Sequence, residues 1–449
     1  MSMDNTQMIP PGGGDKTQIF GPSGEATQMF GGDKTAMGVS MQAITMESTP
    51  GNRYALSTET SCDHILVSLR SQDMAVGCRA PLNLALVIDR SGSMEGEPLE
   101  YVKRACAYVV DLLEPSDILT IVTFEEQIEV LMPARRIVNK ALIKEHINRI
   151  EVGNTTNIYD GLVAGCSQVA AVRAEGYVNR VLAFTDGEPT AGIKDFTSIV
   201  GMVAEQKSRG VTVTVLGFGP EYNEELLAGI ARRSGGNYYY ISRPDLIPEV
   251  FRKELEVLMS TVARNLRLKL NLSRWVQVRQ AYGKLPTYGA RSAEVTLTDL
   301  ERGSAQSALW EVEFMPRPAG VYRVARVELI YDDSVSGRPE RLVQDVVFEF
   351  TPDRDLVANN ANPAVQREIE VAEASRNLER TVMGMRTQQL SPMAAVQELE
   401  KTRTILLHQG KTDQAQDVQQ AIDNIKSGGG GAEKTLMGTI YDLDRGKNK

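Results

Sequence analysis

The chain has 449 residues, more than one hydrophobic core usually organises, so two or three domains are expected. A hydrophobic content of 42% and a charged content of 24% are typical of a folded globular protein. The net charge of −9 argues against nucleic acid or an anionic membrane surface as the main partner.

The first 50 residues contain glycine runs, a Pro10-Pro11 pair and few large aliphatic side chains. This composition cannot offset the entropy lost on ordering, so residues 1–50 are predicted to be a disordered tail. Residues 51–81 alternate weakly between apolar and polar side chains, most clearly at 64–69, and are predicted to form β-strands.

Residues 82–258 have a different pattern. Continuous apolar runs, typical of strands buried on both faces, are separated by amphipathic helical segments. Strand–helix alternation of this kind predicts right-handed crossovers and an α/β fold with a doubly wound parallel sheet. The predicted strands are 84–88, 118–124, 181–184, 211–216 and 238–241, and the predicted helices are 97–113, 158–173, 196–209 and 223–233.

Residues 259–352 return to short alternating runs with turn residues between them, the pattern of half-buried antiparallel strands. We predict a small antiparallel β-sandwich that also takes in the strands of 51–81, with the α/β domain inserted in it. Residues 353–427 are rich in Ala, Gln and Glu and predict a helical region, in which Ser391-Pro392 begins one helix and Gly410 ends it. Residues 428–449 start with four glycines and are predicted to be a second disordered tail.

A pattern of hydroxyl and carboxylate side chains follows the first buried strand of the α/β domain. Asp89, Ser91 and Ser93 form a D-x-S-x-S sequence there. Alternate residues of a loop at a strand's carboxyl end can direct their oxygens towards one point, and such oxygens suit a hard cation such as Mg²⁺. Alternatively, Asp89 caps the following helix and the two serines bond to turn amides.

Two further elements occur in the same order along the chain. Thr155 and Thr156 lie in the loop sequence Gly-Asn-Thr-Thr-Asn-Ile, and Asp186 follows another buried strand. With them, the chain resembles the von Willebrand factor A (VWA) family over about 160 residues. The wider layout resembles bacterial VWA proteins and the inter-alpha-trypsin-inhibitor heavy chains, in which β-structure flanks this domain.

The resemblance implies a metal-ion-dependent adhesion site (MIDAS). Ser91, Ser93 and a threonine would ligate the ion directly, and Asp89 and Asp186 would hold metal-bound waters or bind closely. Thr156 is the expected threonine because it precedes Asn-Ile, with Thr155 as the alternative. The expected ion is Mg²⁺, with Mn²⁺ or Ca²⁺ as alternatives, and its remaining position would accept an Asp or Glu carboxylate of a protein partner.

The tails contain a short repeat of the form acid-x-Thr-x-(Met or Ile). A threonine with constant flanks in a flexible segment is what a Ser/Thr kinase and a phosphothreonine reader require. The repeats resemble ligands of forkhead-associated (FHA) domains, with an apolar residue three after the threonine in the first three copies. The candidate phosphorylation sites are Thr6, Thr17, Thr27, Thr35 and Thr435.

No motif for catalysis accompanies these features. The three histidines lie outside the metal loops, and the chain has no G-x-S-x-G, H-E-x-x-H or P-loop sequence. We therefore expect a non-enzymatic, metal-dependent adaptor, or alternatively a structural scaffold in which the metal only stabilises a loop. Without a signal peptide, an apolar run of membrane-spanning length or a C-x-x-C spacing, the expected location is the cytoplasm.

Overall fold

The computed structural model describes residues 43–72, 79–172, 176–218, 222–334, 336–428 and 431–448. Three strands come first, β1 (Ile44–Pro50), β2 (Tyr54–Leu56) and β3 (Ser61–Ser71). Strand β1 pairs antiparallel with β3 along its whole length, and the Ile44 side chain is fully buried. The expectation of a disordered tail up to residue 50 is therefore wrong for residues 44–50. Residues 1–42, with Thr6, Thr17, Thr27 and Thr35, lie outside the described residues.

The α/β domain follows. Its sheet has the order β6-β5-β4-β7-β8-β9, and all neighbours are parallel except the antiparallel edge pair β5 and β6. Its elements in chain order are β4 (Leu82–Asp89), α1 (Glu97–Leu112), β5 (Ile118–Phe124), β6 (Ile128–Arg136), α2 (Lys140–Asn148), α3 (Ile158–Ala171), β7 (Val178–Thr185), α4 (Phe196–Ser208), β8 (Thr212–Phe218), α5 (Glu224–Ser234), β9 (Tyr238–Ile241) and α6 (Ile247–Met259).

Both faces of this sheet are covered by helices. Strand β4 is buried at every residue, and its side chains alternate between two cores. Leu84, Leu86 and Ile88 pack with helices α1, α2 and α6, whereas Ala85 and Val87 pack with α3, α4 and α5. Helices occupy the two faces of the sheet, so functional side chains are carried by the loops that follow the carboxyl ends of strands such as β4 and β7.

Eight strands come next, and they form two sheets with the first three strands. One sheet has the order β1-β3-β15-β11, and the other β12-β13-β10-β16-β17-β2. Both sheets contribute to one core that includes Trp310, Phe314 and Phe348. The α/β domain lies between β3 and β10 in sequence, so it is inserted into this pair of sheets. The strands are β10 (Thr261–Leu272), β11 (Val276–Ala281), β12 (Thr287–Gly289), β13 (Ser292–Thr296), β14 (Leu300–Glu301), β15 (Ala305–Phe314), β16 (Gly320–Asp333) and β17 (Pro339–Thr351).

The C-terminal part is helical, as predicted. Ser391 caps one helix by accepting a hydrogen bond from the amide of Ala394, with Pro392 at the first helical position. Gly410 has a positive φ of 73° just after that helix, which confirms the predicted start and end. The elements are α7 (Arg354–Asn359), α8 (Pro363–Arg386), α9 (Pro392–His408), α10 (Thr412–Ser427), α11 (Ala432–Arg445) and β18 (Lys447–Asn448). No helix in the described part of the chain is long and apolar enough to cross a membrane.

The expectation of a disordered tail over residues 428–449 is wrong. Helix α11 buries Leu436, Ile440 and Tyr441 against the helical region and the α/β domain. Apolar side chains at this spacing form a stripe along one face of a helix. Burying that face offsets the conformational entropy lost on ordering the segment, including its glycines. Thr435 consequently lies in a helix, half-buried, with its hydroxyl donating to the Gly431 carbonyl at 3.2 Å. It is not in the flexible segment that a kinase requires.

Candidate metal site

Asp89 is the last residue of β4 and is fully buried. One carboxylate oxygen accepts a hydrogen bond from the Ser91 amide at 2.9 Å, and the other accepts from the Thr185 hydroxyl at 2.6 Å. The Thr185 contact is possible because β7 runs parallel to β4 in adjacent register, so both strands end at the same edge. Burial raises the pKa of Asp89 to about 7, and the nearby Asp186 carboxylate adds to the rise.

The two serines connect this end of β4 to the end of β7. The hydroxyl oxygens of Ser91 and Ser93 are 3.1 Å apart, and the Ser93 hydroxyl donates to an Asp186 carboxylate oxygen at 2.8 Å. A short 3-10 helix at Gly92–Met94 directs the two side chains the same way. Four of the predicted site residues, Asp89, Ser91, Ser93 and Asp186, therefore lie together at the carboxyl edge of the sheet.

The threonine loop lies on the other side of Gly187. A Cβ atom on Gly187 would be 3.5 Å from the Thr156 hydroxyl and 3.7 Å from the Ser93 hydroxyl, so both hydroxyls border the space beside this glycine. Thr156 is buried, and its amide donates to the Thr190 hydroxyl at 2.8 Å. The hydroxyl of Thr155 is also buried but has no hydrogen-bond partner among the described residues.

Two residues that support the site were not predicted from the sequence. Thr185 holds the Asp89 carboxylate, and Thr190 fixes the threonine loop through its hydroxyl and through its amide, which donates to the Thr156 carbonyl at 2.9 Å. Thr185 is the last residue of β7 and directly precedes Asp186, so its place in the sequence could have identified it. Thr190 comes from a loop whose return to Thr156 depends on tertiary structure.

The donor set consists of two carboxylates and neighbouring hydroxyls. Within the described ranges, no group of three or more His, Cys, Asp or Glu side chains is placed to hold a metal ion. Thiolate and imidazole sites for softer metals are therefore not formed by those residues, whereas carboxylate and hydroxyl oxygens suit hard divalent cations. The absence of a Cβ at Gly187 leaves room between the hydroxyls of Ser93 and Thr156. The residues present fit a hydrated divalent ion.

Comparison with known proteins identifies the family of the α/β domain. The family model of the von Willebrand factor type A domain matches residues 83–253. An uncharacterized protein of Synechocystis sp. is 30% identical over 313 residues, which cover 66% of this chain and 74% of the relative. The chain belongs to the VWA domain family. Human inter-alpha-trypsin inhibitor heavy chain H4 is 30% identical over 166 residues, 35% of this VWA protein and 18% of the heavy chain.

Two solved structures share the fold over most of the chain. A von Willebrand factor type A protein from Catenulispora acidiphila has a TM-score of 0.71 at 17% identity, covering 84% of this chain and 89% of that one. The ArnB paralog VWA2 from Sulfolobus acidocaldarius has a TM-score of 0.62 at 16% identity, covering 89% and 98%. At these identities the similarity establishes the fold, and the function must be argued from the site.

Proposed function

We propose that this VWA-domain protein binds a divalent cation at the edge formed by β4 and β7 and presents it to a carboxylate of a protein partner. The observation that carries the proposal is the continuous set of oxygens from Asp89 through Ser91 and Ser93 to Asp186, with Thr156 beside it. We assign Mg²⁺ as the ion, with Mn²⁺ or Ca²⁺ able to replace it, because all the donors are oxygens. When bound, the ion supplies a positive centre for a partner's Asp or Glu.

The side chains hold this site in place before any ion arrives. Thr185 and the Ser91 amide orient the buried Asp89 carboxylate, whose burial without a neighbouring cation is costly. The Ser93 hydroxyl orients Asp186. Hydroxyl ligands are neutral, and Asp89 and Asp186 would act through metal-bound waters, so a divalent ion would keep positive charge that attracts a partner's carboxylate. We assign a binding role rather than a catalytic one, because the site residues include no histidine or cysteine that would serve as a base or nucleophile.

Metal binding is tested by titrating the full chain with Mn²⁺ and following the free ion by electron paramagnetic resonance. We expect one site per chain, displaced by Mg²⁺, and an affinity at least about tenfold lower for Asp89→Asn and Ser93→Ala, the size of effect that loss of one ligand or its orienting bond produces. Ser208→Ala, an exposed serine of the same domain, is the control. Tight Mn²⁺ binding that survives both site variants would refute the assignment.

Partner binding is tested by affinity capture on the wild-type chain and on Asp89→Asn, each in Mg²⁺ and in chelator. A partner retained only by the wild type in Mg²⁺ supports the adaptor role.

The alternative function is a scaffold that self-associates regardless of metal. It predicts a mass by light scattering that is the same in Mg²⁺ and in chelator and larger than one chain.

We further propose that a Ser/Thr kinase phosphorylates Thr6, Thr17, Thr27 and Thr35 and that FHA domains read the first three products, which have an apolar residue three after the threonine. The repeated flanking residues support this, since each phosphate would add about −1.5 to −2 charges that an arginine cluster can bind. A cytoplasmic location fits the free thiol of Cys62, which is exposed. Mass spectrometry of the protein from its host, with binding of synthetic phosphopeptides to FHA domains, tests the regulation.

A further inference from the structure

A cleft lies where helix α5, the turn after β11 and helix α8 meet. Two adjoining cavities of about 430 Å³ and 390 Å³ share Arg232, Arg233, Leu285 and Glu379 in their walls. The walls come from the VWA domain, the paired sheets and the helical region. Small-molecule sites of about 300–1,000 Å³ are common at junctions of this kind. Neither cavity includes a residue of the candidate metal site.

One half of the cleft is apolar and open to solvent. Phe196, Leu285 and Met383 line the first cavity and are 44%, 61% and 59% exposed, respectively. The Phe196 ring lies over α5 at Gly229, where an added Cβ would come within 2.9 Å of it. Large apolar side chains that stay exposed together in one cavity are typical of a ligand-binding surface.

The other half of the cleft is cationic. The second cavity is lined by more basic than acidic side chains, although the whole chain has a net charge of −9. Arg232 is engaged by Asp444 at 2.7 Å and by Glu379 at 3.6 Å. In the described part of the chain, Arg233, Lys284 and Arg376 form no ion pair. Lys284 donates to the backbone carbonyl of Asp444, and Arg376 donates to the Gln280 side chain and lies over the Tyr282 ring at 4.6 Å. Among the described residues, no carboxylate neutralises these three charges, so they can attract an anion.

The floor of the cationic half contains polar atoms without partners. Gln306 is 1% exposed, and its amide nitrogen donates to the Thr298 hydroxyl at 2.9 Å and to the Arg445 carbonyl at 3.1 Å. Its carbonyl oxygen and the Nε–H of Arg445, which lines the same cavity, are buried and find no partner among the described residues. Buried polar atoms without partners are costly, so the protein alone does not satisfy all the polar groups in the wall of this half.

We propose that this cleft binds an amphipathic organic anion, with its carboxylate or phosphate group among Arg233, Lys284 and Arg376 and its apolar part on Phe196, Leu285 and Met383. The charged half supplies hydrogen-bond donors for the anionic oxygens of the ligand. In the apolar half, the ligand would bury side chains that are now exposed, which contributes favourably to the binding free energy. The proposal goes beyond the metal-dependent role and does not depend on it, so the experiments below are carried out in chelator.

The probe is the fluorescent anion anilinonaphthalene sulfonate, titrated into the folded full-length chain. We expect saturable binding of one probe per chain, and a dissociation constant raised at least about fivefold by Arg233→Gln and by Leu285→Ser, since each removes about 1 kcal/mol of interaction or more. Both side chains are exposed and Arg233 has no ion pair, so the variants should fold. Arg243→Gln and Val138→Ser, exposed residues elsewhere in the domain, are matched controls that should leave binding unchanged.

Competition then identifies the anionic group. Decanoate and decyl phosphate share an apolar chain and differ in the head group, so displacement of the probe by one or by both assigns the ligand to carboxylates, phosphate esters or either. Binding of the probe at many weak sites, or equal affinity in the wild type and both cleft variants, would overturn the site. Displacement by neither competitor would overturn the ligand class.

Discussion

Gly187 separates the hydroxyls of Ser93 and Thr156 at the candidate metal site. An added Cβ would lie 3.7 Å and 3.5 Å from the two oxygens, which are ordinary contact distances, so Gly187→Ala should fold normally. The methyl group would nevertheless occupy space that a hydrated ion needs. We expect Gly187→Ala to weaken Mn²⁺ binding at least about tenfold with little change in the free energy of unfolding. Titration of both proteins with Mn²⁺, with urea unfolding in chelator, measures the two effects.

The choice between Thr155 and Thr156 can also be tested by metal binding. The Thr156 hydroxyl borders the same space as the Ser93 hydroxyl, so Thr156→Val should weaken Mn²⁺ binding at least about tenfold. Thr155→Val removes a buried hydroxyl that has no partner among the described residues, so it should leave metal binding nearly unchanged. The reverse order of effects would make Thr155 the ligand.

Asp63 in β3 gives a pH dependence of stability with a definite sign. Burial raises the pKa of its carboxyl from 3.8 to about 7 in the folded chain. The protonated form therefore stabilises the fold below about pH 4, and this contribution is lost as the pH rises to about 7. Asp63→Asn cannot ionise, so the wild type should lose stability relative to the variant across this range. Urea unfolding of both at several pH values measures the difference, and a constant difference would contradict the raised pKa.

At the level of residues, the sequence singled out those parts of the candidate metal site that are local in the chain. Asp89, Ser91 and Ser93 were recognisable because they occupy alternate positions at the carboxyl end of one buried strand. Which of Thr155 and Thr156 faces Ser93 depends on how the loop is held by Thr190, 34 residues away. Such a contact leaves no pattern in the local sequence, so the preference for Thr156 rested on the family resemblance and not on the residues themselves.

Helix α3 illustrates how closely the elements of the VWA domain pack. An added Cβ on Gly165 would meet a methyl group of Val87 in β4 at 2.4 Å, so the helix lies against the sheet only because this residue has no side chain. We expect Gly165→Ala to destabilise the protein by about 1–3 kcal/mol. Gly201 in α4 has nothing within 4 Å of such an atom, so Gly201→Ala should stabilise it by about 0.5–1 kcal/mol. Urea unfolding of the pair checks both signs, and equal effects would show that helix propensity outweighs packing.

Elements with a strong burial pattern were predictable, whereas the largely exposed edge strand β6 was not. Strand β4 is a continuous apolar run because both of its faces are covered. Strand β6 was not predicted, since it is the antiparallel edge strand and most of its residues are exposed or half-buried. Its sequence therefore lacks the apolar run that identified the other strands. The pairing of β3 with β15, where Ile65 lies opposite Trp310, joins residues far apart in the chain across the inserted domain.

At the scale of the whole molecule, helix α11 connects all three regions. Asp444 pairs with Arg232 of α5 at 2.7 Å and accepts a hydrogen bond from Ser375 of α8 at 2.8 Å. The Gly446 carbonyl accepts from the amide of Ser307 in β15 at 2.9 Å. The glycines at 428–431 suggested a disordered tail, but the apolar residues that follow them carried a helical pattern that composition alone does not reveal.

The last 22 residues should therefore be essential for stability. A disordered tail could be removed without loss of stability. Leu436 is fully buried in the core of the helical region, so Leu436→Ala should lower the free energy of unfolding by about 2–5 kcal/mol. Removing residues 428–449 would expose the apolar faces that α11 covers, and we expect an aggregated or largely unfolded product. Met393→Ala, at a site 72% exposed, is the matched control and should change stability by less than about 0.5 kcal/mol. Wild-type thermal stability in Leu436→Ala and in the shortened chain would show that α11 is not an integral part of the fold.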